Sequence, residues 1–409
     1  MKSVPIPSGA RAPYAPGRLR PIAAAGVILV LVAWLWPLPH SADVAGDLRI
    51  YRGAIEAMLR GGGLYSYAMP LDTGPSPFLY PPFAALVMLP AQGLPLASVI
   101  SGWTVTQVAM TVVLSLLLLR DARWRTGLVV PAASWAMFLL SGPVMFDINI
   151  GQISLGIMIL ALADIVLLGP RSRGALIGVA GAIKLTPMFF VLYFLVTRQW
   201  RAAITTTASF CGATVMGFVV FPRESFEYWT SIVFQSSRIP GLGSPRNLTI
   251  LGDLRMWGVP DSVGTPTWAV LALSVAVLAL YAGWRHFRAG EPVAAGIVVG
   301  LATTAIGPIA WDHHLVWLVA AAVYIVLNRS KGVAVWGWVL LALSLVASPI
   351  WPHEETPVLW RRLAGMVPLV LSIGISCVGL PRKSDVASLP AELTQRASEE
   401  SPSVAGAAT

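Results

Sequence analysis

Residues 96–125 read LASVISGWTVTQVAMTVVLSLLLLRDARWR, an uncharged apolar run followed by a basic segment. The apolar part, 96–119, is long enough to cross a hydrocarbon core, which takes roughly 20 helical residues. Arg120, Arg123 and Arg125 come directly after it, and loops rich in Arg and Lys stay on the cytoplasmic side of a membrane. This stretch predicts a transmembrane helix that ends in the cytoplasm.

The composition of the whole chain also indicates a membrane protein. Of its 409 residues, 56% are hydrophobic and 11% are charged, whereas soluble domains carry roughly 25% charged residues. Cys211 and Cys377 lie in apolar runs and predict neither a disulfide framework nor a metal cluster. The net charge of +9 is spread over short loops, which argues against a nucleic-acid-binding face. Runs of spanning length occur at 21–38, 96–119, 127–145, 153–169, 202–221, 267–284, 292–307, 311–327, 333–349 and 363–380.

The connections between these runs sort by charge, which predicts the topology. Short basic loops, expected in the cytoplasm, contain Arg120, Arg123 and Arg125, Arg171 and Arg173, Arg198 and Arg201, Arg285 and Arg288, Arg329 and Lys331, and Arg382 and Lys383. Neutral or acidic connections, expected outside, are 39–79, 146–152, 222–265, 308–312 and 350–360. The result is about twelve crossings, with a cytoplasmic basic N-terminus at 1–20 and a disordered cytoplasmic tail at 384–409.

Two segments do not fit plain spans in this topology. Residues 174–197 lie between two cytoplasmic loops, so they form either a hairpin of two short helices with Ala182–Pro187 at its tip or one plain span. Residues 80–94 enter the membrane from outside without changing sides. Because broken helices in lipid normally line a cavity, both segments predict one.

Polar residues of unusual position collect on the predicted external side, whereas random scatter would put about half of them inside. They are Asp43, Asp47, Arg49, Arg52, Glu56, Asp147, Asn149, Gly151, Gln152, Lys184, Arg246, Asn247, Asp312, His313 and His314. This clustering predicts a single external site at the membrane edge.

Asp47 begins a segment that predicts an amphipathic helix on the membrane surface. The apolar residues of this helix are Leu48, Ile50, Ile55, Met58 and Leu59, and its charged residues are Arg52, Glu56 and Arg60. At the start of the helix, the Asp47 carboxylate either caps backbone N–H groups or, if partly desolvated, acts as a general base.

Lys184 is the only lysine within a long apolar stretch. It either extends to the interface or has a function, because a charge inside a membrane is costly. Pro187 limits the helix and disfavours helical geometry at Thr186. The resulting break would place the ammonium beside free backbone N–H groups, an arrangement that suits a phosphate.

Two further motifs mark the ends of spans. Trp311-Asp312-His313-His314 carries adjacent histidines, which point about 100° apart on a helix. No cysteine or second histidine pair has matching spacing, so contact with a phosphate or hydroxyl is favoured over a metal site and over plain interface polarity. Tyr80-Pro81-Pro82-Phe83 marks a turn into the membrane, where Tyr80 suits the interface belt.

Taken in order, six motifs resemble one enzyme family. They are Asp47-Leu48 with Tyr51, Gly62-Gly63-Leu64-Tyr65, Tyr80-Pro81-Pro82-Phe83, Asn149-Ile150-Gly151-Gln152, Ile183-Lys184-Leu185-Thr186-Pro187 and Trp311-Asp312-His313-His314. Their order and spacing resemble the polyprenol-phosphate-mannose-dependent α-1,2-mannosyltransferases of actinobacteria, which form glycosyltransferase family 87 of the GT-C class. The resemblance covers about residues 40–330.

The resemblance implies an all-α polytopic membrane protein, a GT-C-like bundle with external amphipathic helices and broken or re-entrant helices. Residues 21–383 would form a single catalytic domain, with external loops at 39–79 and 222–265. The family's first-loop aspartate maps onto Asp47, its lysine onto Lys184 and its histidine pair onto His313 and His314. Close relatives carry Asn-Gly-Gln where this chain has Asn149-Ile150-Gly151-Gln152, and Asn-Gln-Ser before a glycine where it has Arg246-Asn247-Leu248-Thr249 and Gly252.

The chemistry of such a transfer fits these residues. Polyprenyl phosphate is an adequate leaving group, so the reaction needs positive charge on the phosphate rather than an acid. We expect this charge from Lys184, assisted by His313, His314 and Arg246, while Asp47 takes the proton of the acceptor. Substrate contacts are predicted for Tyr51, Tyr80, Asn149, Gln152 and Asn247. The scheme inverts the anomeric centre and requires no metal or cofactor; its partners are a polyprenyl-phosphate sugar, a glycolipid or mannan acceptor, and the bilayer.

Two alternatives remain at this point. The same fold could use another lipid-linked sugar, such as arabinofuranosyl phosphate. A non-enzymatic lipid or sugar transporter would instead place charges along a path across the membrane. The charges of this chain gather at one membrane edge, which favours an enzyme with its site on the external side of the cell membrane.

Overall fold

The computed structural model describes residues 45–71, 74–121, 129–235, 238, 241–244, 246–328, 334–340 and 358–381. The predicted N-terminus 1–20, first span 21–38 and tail 384–409 lie outside these residues. The described part is mainly α-helical, and residues 334–340 form a helical stretch within the predicted run 333–349. Its other helices are α1 Gly46–Leu59, α2 Pro82–Met88, α3 Leu96–Leu118, α4 Val129–Leu139, α5 Gly142–Ile150, α6 Ser154–Leu167, α7 Ala175–Ile183, α8 Phe189–Val196, α9 Trp200–Val220, α10 Pro222–Thr230, α11 Ile250–Met256, α12 Asp261–Arg288, α13 Pro292–Ile306, α14 Val316–Asn328 and α15 Val358–Val378.

Three helices of the described residues, α3, α9 and α12, are long and apolar enough to cross a membrane. The bent pair α4 and α5 makes a fourth if it is one broken span. Other apolar helices, among them α6 and α13, have 10–17 residues. The architecture is that of a mainly α-helical membrane protein, and the count of about twelve crossings stays a prediction.

The predicted span 127–145 is not one straight helix. The helix α4 ends at Leu139, and α5 leaves it at an angle of 64° and continues to Ile150, so residues predicted as the external loop 146–152 are partly helical. Pro143 lies in the first turn of α5, where it has no N–H to donate and its ring blocks a continuous helix. The bend turns the end of α5 towards α1.

The external segments also contain structure that the apolar pattern does not predict. Residues Ala68–Leu71 and Gly74–Pro77 form a two-stranded antiparallel hairpin, in which Ala68 pairs with Pro77. Pro70, Pro75 and Pro77 cannot continue a helix, and proline is tolerated in short edge strands. The predicted loop 222–265 likewise contains α10, α11 and the start of α12.

Residues 174–197 form the hairpin rather than the plain span. The helices α7 and α8 are separated by Lys184, Leu185 and a 3₁₀ turn at Thr186–Met188. Arg173 Nη1 donates to Gln199 Oε1 at 2.9 Å, so the two ends of the segment meet. Gly174 has a φ of +100°, and a Cβ there would collide with the Ala202 carbonyl, so glycine allows α7 to begin directly against α9.

The core lies around α13 and α14, whose residues are almost all buried. Gly300 on α13 leaves room for the Trp317 ring, which a Cβ would strike at 2.6 Å. The helices α9 and α12 instead carry exposed apolar side chains such as Val219 and Leu273. Helices with an apolar outer surface fit a lipid environment.

Candidate active site

The position of α1 depends on its contact with the end of α5. Gly151 adopts a φ of +73°, and an added Cβ would lie 2.8 Å from the Cβ of Leu48. The Ala45 N–H donates to the Asn149 carbonyl at 2.7 Å. The buried face of α1 consists of Gly46, Ile50, Tyr51, Ala54, Ile55 and Met58, whereas Leu59, predicted on the apolar face, is 58% exposed. Close approach at glycine thus brings the first turn of α1 to Gln152.

Asp47 is bound by a side chain rather than capping α1. The N-cap position belongs to Ala45, and no side chain caps the helix. Gln152 Nε2 donates to Asp47 Oδ2 at 2.7 Å. Gln152 Oε1 accepts from the Tyr51 hydroxyl at 2.7 Å, the Tyr80 hydroxyl at 2.9 Å and the Ile153 N–H at 2.8 Å. These three donors fix the amide orientation, so that its nitrogen points at the carboxylate.

The electrostatic environment of Asp47 suits a proton acceptor. Burial raises the pKa of Asp47 from 3.8 to about 6, and the Lys184 charge and the Gln152 hydrogen bond offset part of this rise. A carboxylate with this pKa is ionised at neutral pH and holds a proton more strongly than an exposed one.

Lys184 follows α7 at the tip of the hairpin. Its Nζ lies 2.9 Å from His314 Nε2 and 5.5 Å from the centroid of the Tyr80 ring. The Tyr80 hydroxyl bonds the amide that holds Asp47, so Tyr80 contacts both the partner of the carboxylate and the ammonium. Asp47 and Lys184 are near enough to interact electrostatically, as the sequence predicts.

The histidine motif forms a 3₁₀ turn at Asp312–Leu315. The N–H and carbonyl of Trp311 lie 2.9 and 3.3 Å from His314 Nδ1 and hold the ring. The Trp311 N–H donates to His314 Nδ1, which leaves Nε2 facing the Lys184 Nζ. His314, rather than His313, contacts Lys184.

Arg246 and His313 meet on one aromatic ring. Arg246 Nη2 donates to Asp312 Oδ2 at 3.2 Å, and its guanidinium lies 5.4 Å from the Phe146 ring centroid. The His313 ring stacks on Phe146 with centroids 6.3 Å apart and lies 4.2 Å from the His314 ring. The predicted phosphate-binding residues are therefore neighbours around Phe146 and Lys184.

The two predicted substrate-binding asparagines have a different environment. Asn247 is buried, and its amide donates to the carbonyls of Leu242 and Pro308 and accepts from Thr249 and the Ala310 N–H. These bonds brace the turn before Trp311 rather than present the amide to a ligand. Asn149 meets α1 through its backbone carbonyl, and its buried Oδ1 has no hydrogen-bond partner among the described residues.

Two buried residues lie near the site: Asp147, which the sequence named only as part of the external polar cluster, and Gln107, which it did not single out. Gln107 on α3 donates to the Gln152 carbonyl at 2.7 Å and to Asp147 Oδ2 at 3.0 Å. It is the only carboxamide in the run 96–119, and a polar side chain within a span is the feature that marks it.

Among the described residues, no group of three or more His, Cys, Asp or Glu side chains is arranged to hold a metal ion.

Comparison with known proteins identifies the family. The family model described as glycosyltransferase family 87 matches residues 78–308. A polyprenol-phosphate-mannose-dependent α-(1-2)-phosphatidylinositol mannoside mannosyltransferase of Mycobacterium tuberculosis is 33% identical over 84% of this chain and 85% of its own length. A protein of the same description from Mycolicibacterium smegmatis is 31% identical over 82% and 83%.

A further relative from Mycolicibacterium smegmatis, described as the corresponding phosphatidylinositol pentamannoside mannosyltransferase, is 29% identical over 84% of this chain and 85% of its own length. No solved structure matches the chain. The family match covers more than half of the chain and the relatives most of it, which confirms the predicted resemblance. The chain belongs to glycosyltransferase family 87.

Proposed function

We propose that this protein transfers mannose from polyprenol-phosphate mannose to a phosphatidylinositol mannoside or related glycolipid and forms an α-1,2 linkage. The descriptions of the relatives support this function, because they name the same donor, linkage and class of acceptor. The geometry around Asp47 and Lys184 supports it independently, since a base and a cation are the two groups that this reaction needs.

Asp47 is the general base of the proposed reaction. The acceptor hydroxyl gives its proton to the Asp47 carboxylate while its oxygen bonds to the anomeric carbon of mannose. The bond from that carbon to the phosphate oxygen breaks, and polyprenyl phosphate leaves with the electron pair. Attack opposite the leaving group inverts a β-linked mannosyl phosphate to an α-mannoside.

Lys184 stabilises the negative charge that develops on the leaving phosphate. Its contact with His314 keeps the ammonium at the hairpin tip, and a lysine is a compact point charge suited to a phosphate. Arg246 is paired with Asp312, so we assign it and His313 a supporting part around the same phosphate.

The observation that carries the proposal is one set of contacts. A partly buried carboxylate, oriented by Gln152, and an ammonium, in contact with His314, are linked through Tyr80, whose hydroxyl bonds Gln152 and whose ring faces the ammonium. This is the arrangement expected when a hydroxyl and a phosphate must meet at one carbon.

Transfer in isolated membranes tests the function. Wild-type protein, Asp47→Asn and Asp253→Asn are supplied with labelled polyprenol-phosphate mannose and a phosphatidylinositol mannoside. Asp253 is a matched control, because burial also raises its pKa to about 6 and it lies on α11. We expect a loss of about 10²–10⁴-fold for Asp47→Asn, no comparable loss for Asp253→Asn, and an α-1,2 linkage in the product. Incorporation only from an arabinofuranosyl lipid would reject mannose as the sugar.

The proposal also includes a multi-pass topology with the site on the external side. The basic loops and the position of α1 before the first basic loop support it. Ser66 and Ser172 are exposed serines on a predicted external and a predicted cytoplasmic segment. In a Cys211→Ser, Cys377→Ser background, a membrane-impermeant thiol reagent should label Ser66→Cys in intact cells and Ser172→Cys only after lysis. The reverse pattern would contradict the sidedness.

A further inference from the structure

A cavity of about 260 Å³ lies at the end of the α7–α8 hairpin that is remote from Lys184. Three of the predicted cytoplasmic basic loops, 171–173, 198–201 and 285–288, meet beside it. The cavity has no lining residue in common with the candidate active site. Its wall consists of Ile165 and Val166 on α6, Arg173, Tyr193 and Gln199 on or beside the hairpin, and Phe287, Gly290 and Pro292 around the turn from α12 to α13.

Arg173 brings a positive charge to this wall. Its Nη1 donates to Gln199 Oε1 at 2.9 Å and its Nη2 to the Leu168 carbonyl at 3.1 Å, whereas its buried Nε has no hydrogen-bond partner among the described residues. The ion pairs found in the described part of the chain do not include Arg173. A guanidinium has five N–H donors and a permanent charge, so two neutral acceptors leave both donors and charge for a ligand.

Two acidic residues, Asp164 and Glu291, are adjacent in sequence to lining residues, but both are bound elsewhere. The Asp164 carboxylate accepts from three backbone N–H groups at the start of α7. Glu291 Oε2 lies 2.9 Å from His286 Nδ1. Because neither carboxylate forms an ion pair with Arg173, the half-buried guanidinium favours an anionic ligand.

Tyr193 adds a hydrogen-bonding group to the same wall. Its exposed fraction is 0%, and its hydroxyl has no hydrogen-bond partner among the described residues. Buried hydroxyls normally have a partner, and one without it indicates a place for a ligand or a water molecule. Ile165, Val166 and Phe287 make the rest of the wall largely apolar. This combination suits an oxyanion that is attached to an apolar body.

The surface beside the cavity has the composition of a membrane edge. Leu167 and Leu192, each next to a lining residue, and Val196 are exposed apolar side chains. Trp200 is also exposed, and tryptophan is enriched where a membrane meets water. Arg171 is an exposed charge of the adjoining basic loop. Basic pockets between helices at the cytoplasmic side of a membrane bind anionic lipid headgroups.

We propose that this cavity binds the phosphate of an anionic phospholipid, whose acyl chains lie along the apolar surface beside it. Arg173 pairs with the phosphate, and the Tyr193 hydroxyl donates to one of its oxygens. The inference goes beyond the proposed mannose transfer, because this lipid is a bound component at the other end of the hairpin and not a substrate.

Titration of the purified full-length protein in a neutral detergent tests the site, with a phosphatidylglycerol that carries a fluorescent acyl chain as the probe. The wild type should bind the probe. Unlabelled phosphatidylglycerol should displace it, and inorganic phosphate at the same concentration should not. Arg173→Gln should weaken binding about 10-fold or more, because it removes a charge-assisted contact. Arg171→Gln is the matched control, since Arg171 is an exposed charge that does not line the cavity; its affinity should stay within about 2-fold of the wild type.

Tyr193→Phe is a second variant that keeps the bonds of Arg173 at the hairpin ends. The hydroxyl it removes has no partner in the described residues, so the fold should be retained while binding weakens about 3- to 10-fold. Where Arg173→Gln does not fold, Tyr193→Phe alone decides.

The inference is overturned by wild-type protein that binds no probe, by wild-type affinity in both cavity variants, or by an equal loss in Arg171→Gln. Displacement by inorganic phosphate as effective as that by the lipid would show a site for the free anion and overturn it as well. Loss of binding in Lys184→Met but not in Arg173→Gln would place the lipid in the active site, with the same consequence. The titration involves no sugar transfer, so its result is independent of whether the proposed function holds.

Discussion

At the start of α7 the Asp164 carboxylate accepts hydrogen bonds from three backbone N–H groups. Just past the end of α7, by contrast, the Lys184 ammonium contacts one imidazole. Asp164 Oδ1 accepts from Gly174 at 2.5 Å, and Oδ2 accepts from Leu176 at 2.8 Å and Ile177 at 3.2 Å. Lys184 lies 2.9 Å from His314. With nine residues at about 1.5 Å each, α7 separates a buried carboxylate from a half-buried ammonium in opposite surroundings.

The difference distinguishes a charge with a structural role from a charge with a role in the reaction. Backbone donors satisfy both oxygens of Asp164 and complete the first turn of α7, as a helix cap does. The ammonium of Lys184 has three N–H donors, more than its contact with His314 uses, and it can therefore bind a phosphate. Asp164 fixes the helix that carries Lys184. A substitution at Asp164 should therefore change mainly stability, and one at Lys184 mainly the rate of transfer.

Lys184→Met gives the largest expected effect among tests of this contrast. The substitution removes the charge on the leaving phosphate, so transfer should fall about 10²–10³-fold while the amount of inserted protein stays near wild type. Lys184→Arg should recover part of the rate because it restores the charge. Labelled mannose transfer at matched protein levels measures both. Near wild-type transfer by the Lys184→Met variant would show that the ammonium has no part in the reaction.

Lowering the pH should reduce the kcat/KM of mannose transfer gradually. With the pKa of Asp47 at about 6, the base is ionised at pH 7 and becomes protonated as the pH falls through 6, so kcat/KM should drop tenfold per unit below that value. The rate profile between pH 4.5 and 8 measures this limb. A profile that stays flat down to pH 5 would mean that the pKa of Asp47 lies below 5 or that Asp47 is not the base.

Sequence patterns predict those parts of the molecule that local chemistry determines. The apolar runs 96–119 and 202–221 correspond to α3 and α9 within a few residues, because a span needs length and apolarity alone. That Asp47 and Lys184 are near enough to interact electrostatically agrees with their placement on the same predicted side of the membrane. The hairpin at 174–197 follows from the charged loops that flank it.

What the sequence leaves open depends on contacts between distant segments. The link from Gln107 through Gln152 to Asp47 joins α3, the end of α5 and α1, and no local pattern encodes it. The choice between His313 and His314 depends on the 3₁₀ turn that directs one ring to Lys184. The bend before Pro143 moves Asp147 from a loop into a buried helix.

Asp164→Asn should affect stability rather than chemistry. The amide presents one NH₂ group to backbone N–H donors, which costs about 1–3 kcal/mol in a buried site. The temperature of half-inactivation should therefore fall by a few degrees, while transfer per folded molecule and its pH profile remain near wild type. A large loss of kcat without loss of thermal stability would contradict the structural role of the α7 start.

Tyr51→Phe should produce the smallest effect and shows how much the orientation of Gln152 matters. The substitution removes one of three donors to Gln152 Oε1 without changing the ring, and one such bond contributes about 0.5–1.5 kcal/mol. Transfer should fall about 3- to 10-fold through kcat, because the amide that directs Asp47 gains freedom while Lys184 is untouched. Tyr228→Phe, in a buried ring packed on Tyr65 and Trp229, is the control and should retain the wild-type rate. Equal losses for the two variants would indicate a general packing defect, and the base would then not depend on its amide partner.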